Sequence, residues 1–236
     1  MKLANINPSN FNYDYDQIEK DKINFDYYSK YYRLHTDAIL PTKIKIDIDL
    51  FRKEIVKYHN LFRQWGNNRN YLPRYGISLV NYTGDIYGEN DIACSPLDQY
   101  NAGVKKEDHL TEFDFNKKTE LFANLKSLDS LNLISEFMLR SNILLWHKHA
   151  NFIPHIDTAP LNNYNLRLWG TDDPSNYNFY FLNKQVNMDD IEPGRIYLID
   201  TTIWHWAEAK ADWIYTFFIS TTNSIECFET IKKILL

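Results

Sequence analysis

The sequence predicts an α+β fold with a mainly β core, in which a sandwich or jelly roll is flanked by helices from the N-terminal half. The 236 residues include 17 Tyr, 14 Phe and 6 Trp, and aromatic side chains favour strands because they pack well on a pleated, half-buried surface. Apolar residues recur at helical spacing before Arg140 and alternate with polar residues after it, which indicates a change from helices to strands.

The N-terminal part is predicted to be helical and irregular. Asp47 to Trp65 and Thr119 to Leu139 both place apolar residues at helical spacing, with charged residues between them. The run RYGISLVNY from Arg74 predicts a strand, and the following segment from Gly84 is rich in turn-forming residues. We expect one domain over residues 1–236, in which residues 1–140 pack on a core of residues 141–222.

The C-terminal half contains short apolar runs separated by clusters of Asn, Gly, Pro and Asp. Strands of this length at regular spacing are typical of sandwiches and jelly rolls. The runs are SNILLWHKH, NFIPHID, YNLRLWG, NYNFYFLN, GRIYLID, TIWHWAEA and DWIYTFFIST.

Composition excludes several classes of partner and site. The net charge of −5 is spread along the chain without a basic stripe, so a nucleic-acid partner is not indicated. Cys94 and Cys227 are far apart, which argues against a disulfide framework or a thiolate zinc site. The first residues do not resemble a secretory signal and no apolar run is long enough to span a bilayer, so we expect a cytoplasmic protein without a membrane partner.

His155 and Asp157 form the central chemical motif, with His205 about fifty residues further along the chain. Residues i and i+2 of a strand point to the same face, so His155 and Asp157 can reach one ion. His205 completes the site if its strand lies across the barrel from the first. Two imidazoles and one carboxylate on one side of a metal leave its other positions open, as expected for non-haem Fe(II).

Other residues allow more than one interpretation. His147 and His149 form an HxH pair that is similar to a cupin site, although the Glu that such a site needs is missing. Trp204 and Trp206 are expected in the core on the face opposite His205, whereas Trp146 or Trp169 could line a substrate pocket.

Three further residues have a structural interpretation. Asp200 is expected to shape the turn before His205. Arg74 and Tyr75 are either part of a substrate-binding segment or simply the start of a strand.

The segments FIPHIDTAP, NLRLWG and EPGRIYLIDTTIWHWAEA together resemble the Fe(II)/2-oxoglutarate-dependent oxygenases, most closely their aspartyl/asparaginyl β-hydroxylase branch. The resemblance covers roughly the last hundred residues. It implies a double-stranded β-helix (jelly roll) core, with His155, Asp157 and His205 as iron ligands and catalytic residues.

The resemblance also implies a set of residues that bind 2-oxoglutarate. Arg167 would bind a carboxylate, because a guanidinium offers a planar fork that keeps its charge. Trp169 and Tyr215 are also expected to contact the co-substrate. The chain departs from the family at both positions, with Trp169 where a His is frequent and Tyr215 where a second Arg is usual, and it has Leu144 or its neighbour where a Ser is usual. Because a buried dicarboxylate needs a countercharge, another cation has to replace that Arg or the co-substrate differs. The candidate replacements are Arg140, Arg195 and Lys210.

The implied activity is that of a dioxygenase that uses O2 and 2-oxoglutarate to hydroxylate, or otherwise oxidise, a C–H bond. The substrate would be a small molecule, an amino acid or a peptide. Family members that install halide lack the carboxylate ligand, so Asp157 favours hydroxylation. The alternatives are a cupin-like, metal-binding jelly roll with a site on His147 and His149, and a degenerate oxygenase that acts as a binding module.

Overall fold

A computed structural model describes residues 15–32, 39–65, 74–86, 105–108, 110–157, 165–182 and 184–236. Within these ranges the α-helices are α1 (Tyr15–Tyr32), α2 (Ile48–Ile55), α3 (Glu120–Asn124) and α4 (Ile225–Ile234). The strands are β1 (Ile39–Lys45), β2 (Arg63–Trp65), β3 (Arg74–Asn81), β4 (Lys117–Lys118), β5 (Met138–Trp146), β6 (Asn151–His155), β7 (Leu166–Thr171), β8 (Tyr177–Phe181), β9 (Lys184–Gln185), β10 (Arg195–Ile199), β11 (His205–Ala209) and β12 (Ile214–Thr221).

The strands form two antiparallel sheets. The larger, 8-stranded sheet has the order β1-β10-β7-β12-β5-β3-β2, with β4 paired to β3, and the smaller, 4-stranded sheet has the order β6-β11-β8-β9. From β5 onward the chain passes back and forth between the two sheets, so β6, β8 and β11 belong to the smaller sheet while β5, β7, β10 and β12 belong to the larger one. The predicted mainly β, antiparallel core with accompanying helices is therefore confirmed.

The larger sheet has an apolar core on each of its faces. Because successive side chains of a strand point to opposite faces, Leu166 and Leu168 of β7 enter the core beneath the helices. Trp169 of the same strand enters a second core that faces the smaller sheet. We call the side that faces the smaller sheet the inner face and the other side the helical face.

Two of the helices on the helical face begin at residues whose side chains cap them. The side chain of Asp47 accepts a hydrogen bond from the backbone N–H of Leu50 and so caps α2, and Ser224 caps α4 in the same way through Cys227. The ring of Phe228 in α4 stacks on Tyr28 of α1 at 4.2 Å between centroids. None of the described helices is long and apolar enough to cross a membrane.

Both predicted long helices are shorter in the structure. The first ends at Ile55 and continues as a 3₁₀ helix (Val56–Leu61), after which Arg63–Trp65 pairs with β3. The second breaks at Leu125, which has an extended backbone, and a 3₁₀ helix (Lys126–Leu133) follows.

The causes of these breaks are tertiary contacts that helical spacing cannot reveal. The carboxylate of Glu54 in α2 accepts hydrogen bonds from the backbone N–H groups of Lys126 and Ser127, and thereby caps the 3₁₀ helix that starts there. Strand β5 begins at Met138, before the predicted boundary at Arg140, because Met138 pairs with Thr221 of β12. Most of the irregular segment predicted from Gly84 lies outside the described residues.

Replacing Gly194 with Ala is expected to lower the free energy of unfolding by about 3 kcal/mol. Its φ of +77° is unfavourable for an L side chain, and an added Cβ would lie 2.4 Å from the carbonyl oxygen of Ile46. The matched control is Gly84→Ala. Gly84 has a similar φ of +81°, but a Cβ added there would lie 3.4 Å from its nearest neighbour, Cβ of Lys117. Urea unfolding measures both variants, and equal losses would contradict the steric argument.

Candidate metal centre

His155 and His205 are brought together by strand pairing within the smaller sheet. His155 ends β6, His205 begins β11, and the two residues are directly opposite each other in the antiparallel register. Their ring centroids are 4.1 Å apart. The expectation that the His205 strand lies across the barrel is therefore wrong, because β6 and β11 are hydrogen-bonded neighbours.

Asp157 joins the two histidines from just beyond the end of β6. Its backbone N–H donates to the carbonyl oxygen of Thr201 at 2.8 Å, which holds it beside the segment that leads into β11. Its Oδ1 lies 3.6 Å from Nε2 of His155. One ligand atom from each of these three residues lies within 4.8 Å of the other two. Ligand atoms on one ion are about 3–4 Å apart, so small side-chain rotations suffice to close the site.

Both imidazoles are held in the same tautomer by the backbone. Nδ1 of His155 lies 2.9 Å from the carbonyl oxygen of Ile153, and Nδ1 of His205 lies 2.9 Å from that of Ile203. A carbonyl oxygen can only accept, so each Nδ1 carries the proton and each neutral ring has its lone pair on Nε2. Metal-binding histidines commonly use this second hydrogen bond to fix the ring.

Burial and nearby charges keep the donor atoms of His155 and Asp157 free of protons at neutral pH. Burial lowers the pKa of His155 to about 4, although the neighbouring Asp157 carboxylate acts in the opposite direction. Burial alone would raise the pKa of Asp157, but electrostatic interactions with neighbouring basic residues outweigh it and the pKa is lowered. Those residues are His155, His205, Arg167 and Arg140. An ion would therefore meet a neutral nitrogen at His155 and a carboxylate at Asp157.

The donor set fits Fe(II). Two imidazole nitrogens and one carboxylate oxygen suit a divalent first-row metal and leave coordination positions for further ligands. No other group of three His, Cys, Asp or Glu side chains with this spacing occurs within the described part of the chain.

The alternative metal site on His147 and His149 is not formed within the described residues. Nδ1 of His147 lies 3.2 Å from Asp212, and His149 is exposed in the turn between β5 and β6 with a φ of 69°.

Arg167 is buried and already interacts with an internal carboxylate. Its Nη1 donates to Oε1 of Glu112 at 3.0 Å, while Nε of Arg140 lies 3.5 Å from the other carboxylate oxygen of Glu112. Two guanidinium groups thus share one buried carboxylate, which leaves a net positive charge beside Asp157. Nε of Arg167 is buried and has no hydrogen-bond partner among the described residues. A 2-oxoglutarate carboxylate would have to compete with Glu112 for this side chain.

Trp169 lies on the inner face, where aromatic rings cover it. Its centroid is 4.8 Å from that of Phe179 and 5.8 Å from that of Tyr177, and only 2% of the residue is exposed. The structure therefore places Trp169 in the core between the sheets, beside the site.

Tyr215 is not brought to the metal centre. Its side chain belongs to the core on the helical face, and its hydroxyl lies 2.5 Å from Nε2 of His59. The sheet separates it from the inner face, so the predicted contact between Tyr215 and a cofactor needs correction. Tyr215 does lie in β12, but its side chain is on the helical face. The alternation of the strand directs the next residue, Thr216, inward instead, and the hydroxyl of Thr216 accepts a hydrogen bond from Trp146.

Two of the candidate replacement cations also lie away from the site. Nε of Arg195 donates to Glu192 at 2.6 Å and its Nη1 donates to the carbonyl oxygen of Thr42 at 2.7 Å. Lys210 is exposed. Arg140 alone among the three proposed replacements is near the triad, and it shares Glu112 with Arg167.

Exposed apolar residues adjoin the triad residues in sequence or in backbone pairing. Trp204 is 53% exposed, which contradicts its expected place in the core, and Ile156 and Leu182 are exposed as well. Trp204 directly precedes His205, and Ile156 lies between His155 and Asp157. The backbone N–H of Leu182 donates to the carbonyl oxygen of Trp204.

The predictions for Trp206 and Asp200 have different outcomes. Trp206 is partly exposed and stacks on Tyr180 at the outer side of the smaller sheet, so it is not a core residue. Asp200 shapes the turn as predicted, because its Oδ1 accepts hydrogen bonds from both N–H and hydroxyl of Thr202.

Sequence reasoning missed Glu112 and the two carbonyl groups that orient the histidines. Glu112 lies in a short 3₁₀ helix (Glu112–Asp114) capped by Thr111, far from the motif in sequence. Nothing in the polar sequence around Glu112 indicates that its side chain is buried. The carbonyl groups of Ile153 and Ile203 are backbone atoms and are therefore independent of residue type.

Substituting any triad residue by Ala is expected to weaken binding of Fe(II) or its redox-stable substitute Mn(II) by at least about 100-fold, since outer partners alone already change metal affinity by about 10–100-fold. His147→Ala is the matched control and is expected to leave affinity unchanged. Isothermal titration under anaerobic conditions measures both. Equal loss in His147→Ala and His155→Ala would contradict the assignment of the centre.

No protein-family model matches the chain, and no curated protein matches it significantly. Among solved structures, an oxidoreductase of the 2OG-Fe(II) oxygenase family from Burkholderia pseudomallei is similar at 12% identity and a TM-score of 0.41, over 85% of this chain and 91% of that one. A prolyl hydroxylase in complex with a peptide fragment of the hypoxia inducible factor oxygen degradation domain, from Trichoplax adhaerens, is similar at 12% identity and a TM-score of 0.43, over 91% of this chain and 96% of that one. Both TM-scores are too low to support an argument, so the assignment of the site depends on its geometry.

Proposed function

We propose that this protein is a non-haem Fe(II), 2-oxoglutarate-dependent oxygenase that hydroxylates a C–H bond of a small-molecule, amino-acid or peptide substrate. One observation carries the proposal: His155, Asp157 and His205 converge with their donor atoms within 4.8 Å of one another. The backbone hydrogen bonds of both imidazoles, which leave Nε2 of each ring as the donor atom for a metal, support it further.

The sheet topology supports the proposed jelly-roll core. Strands β5, β7, β10 and β12 are neighbours in the larger sheet, while β6, β8, β9 and β11 make up the smaller one. A chain that alternates between two facing antiparallel sheets is what a double-stranded β-helix requires. We propose that β1, β2 and β3 extend the larger sheet around this core.

The three ligands would hold Fe(II) by one side, and the metal with bound 2-oxoglutarate would supply oxidation of a C–H bond by O2. The protein's own contribution is geometric and electrostatic. The cross-strand pair keeps both imidazoles at a fixed separation, and the basic residues around Asp157 favour its ionised form. Apolar and aromatic side chains on the inner face exclude water from the space beside the triad.

Arg167 enters the proposal mainly as a positioning residue. Its guanidinium is held by Glu112 and lowers the pKa of Asp157, so it favours the ionised, metal-binding form of that carboxylate. A direct contact between Arg167 and the co-substrate, as the sequence resemblance implies, would use its free Nε. Trp169 would contribute by packing against Tyr177 and Phe179 behind the site.

Three exposed apolar residues near the triad support a location for the substrate. Ile156 and Trp204 adjoin the ligands, and Leu182 is next to Trp204. We propose that these side chains contact the substrate near the carbon that is oxidised. Contiguous exposed apolar side chains beside polar groups commonly mark a binding site.

Incubation of the purified protein with Fe(II), 2-oxoglutarate and O2 is expected to release succinate, even without the substrate, at a slow uncoupled rate. His205→Ala and Asp157→Ala are expected to lower that rate by at least about 100-fold, since both remove a metal ligand. His149→Ala, which alters an exposed turn outside the triad, is the control and should retain the rate.

Anaerobic absorption spectra distinguish the alternatives. Addition of 2-oxoglutarate to the Fe(II) protein should produce a weak visible charge-transfer band. Metal binding at the triad without a band and without succinate would contradict 2-oxoglutarate as co-substrate and would favour a binding module or a metalloprotein of another type.

A further inference from the structure

Arg74 is a buried cation in the space between the two sheets. It is the first residue of β3 and pairs with Trp146 of β5 on one side and Trp65 of β2 on the other. Only 8% of the residue is exposed. Its guanidinium carbon lies 5.2 Å from the centre of the Trp146 ring, which belongs to the inner core. The side chain therefore points to the inner face of the larger sheet.

Across the inter-sheet space, the guanidinium group reaches Phe152 of β6. Its central carbon lies 3.9 Å from the centre of the Phe152 ring, and the same ring lies 4.0 Å from the ring of His155. Arg74 is thus separated from the proposed metal ligand by a single aromatic ring. The contact with two aromatic faces partly compensates for the burial of the charge.

Arg74 has no carboxylate partner among the described residues. Other described arginines that approach the core do have one: Arg167 and Arg140 share Glu112, Arg52 pairs with Asp172 and Arg195 pairs with Glu192. Burying an ionised group without an opposite charge is unfavourable unless hydrogen bonds or a counterion compensate for it. Aromatic rings offer neither a hydrogen-bond acceptor of carboxylate strength nor a full negative charge.

Burial lowers the pKa of Arg74 to about 10, and Tyr177 acts in the opposite direction. The group therefore remains positively charged at neutral pH. Tyr177 lies close to the same spot on the inner face, since its ring is 5.2 Å from that of Trp146. A planar guanidinium fork with a phenol nearby has the donors that a carboxylate requires.

We propose that Arg74 binds a carboxylate of a ligand that also reaches the metal centre, and this inference rests on the proposed function. The preferred source is the distal carboxylate of 2-oxoglutarate, whose oxo-acid end would face the triad. Arg74 would then supply the countercharge that the chain lacks at Tyr215. The other source of the same chemistry is a carboxylate of the substrate.

The first experiment compares two 2-oxo acids that differ only at the distal end. Binding of 2-oxoglutarate and of 2-oxopentanoate, which has a methyl group in place of the distal carboxylate, is measured by anaerobic titration of the Mn(II)-loaded protein. In Arg74→Gln, affinity for 2-oxoglutarate is expected to fall by at least about 30-fold, a loss typical of a buried charged hydrogen bond, while affinity for 2-oxopentanoate stays the same.

Two further variants separate a specific contact from a general effect. Arg74→Lys keeps the charge but not the fork, and is expected to lose less affinity than Arg74→Gln. Arg63→Gln removes an exposed positive charge from the neighbouring strand β2 and is expected to bind both acids as the unaltered protein does. Circular dichroism and melting temperature establish that each variant is folded, and Arg74→Lys carries the test if Arg74→Gln does not fold.

A second titration uses succinate as a minimal carboxylate probe, both on metal-free protein and on the complex with Mn(II) and 2-oxoglutarate. Succinate binding to the 2-oxoglutarate complex that is lost in Arg74→Gln, with unchanged 2-oxoglutarate affinity, assigns the carboxylate to the substrate. If the unaltered protein does not bind 2-oxoglutarate, the proposed function fails, and Arg74-dependent succinate binding to the metal-free protein still supports the site. Identical binding of all probes by Arg74→Gln and the unaltered protein, or no binding of any, overturns the inference.

Discussion

The register between β6 and β11 is the constraint on which the candidate centre depends. It places His155 opposite His205, and the alternation of each strand then directs both imidazoles to one side. A shift by one residue would move a histidine to the other face of the sheet. The carbonyl oxygens of Ile153 and Ile203 fix the ring tautomers, so strand pairing determines both the position of the donor atoms and the location of their lone pairs.

The charges around the centre are arranged in two groups. On one side, Arg167 and Arg140 share the carboxylate of Glu112 and keep Asp157 ionised. On the other side, Arg74 lies between Trp146 and Phe152 without an acidic partner among the described residues. The first group has an acidic partner within the protein, and the second would bind an anionic ligand. A small molecule with a carboxylate at one end and metal-binding atoms at the other would match this arrangement.

Much of this site could be predicted from sequence because it depends on local spacing. The spacing of His155 and Asp157, the run that contains His205 and the alternating pattern of the strands all survive in the structure. The errors have a common physical cause, since each depends on a contact distant in sequence. Tyr215 points to the helical face because the phase of β12 is set by its pairing with β5 and β7. Glu112 reaches Arg167 from a segment without any recognisable motif.

The central claim is that three side chains bind one ion, and a crystal structure of the protein loaded with Mn(II) without oxygen tests it most directly. The account predicts a single ion about 2.0–2.3 Å from Nε2 of His155, Nε2 of His205 and a carboxylate oxygen of Asp157, with both Nδ1 atoms still bonded to their backbone carbonyls. An ion bound through Nδ1, or bound elsewhere with the three side chains left apart, would contradict it.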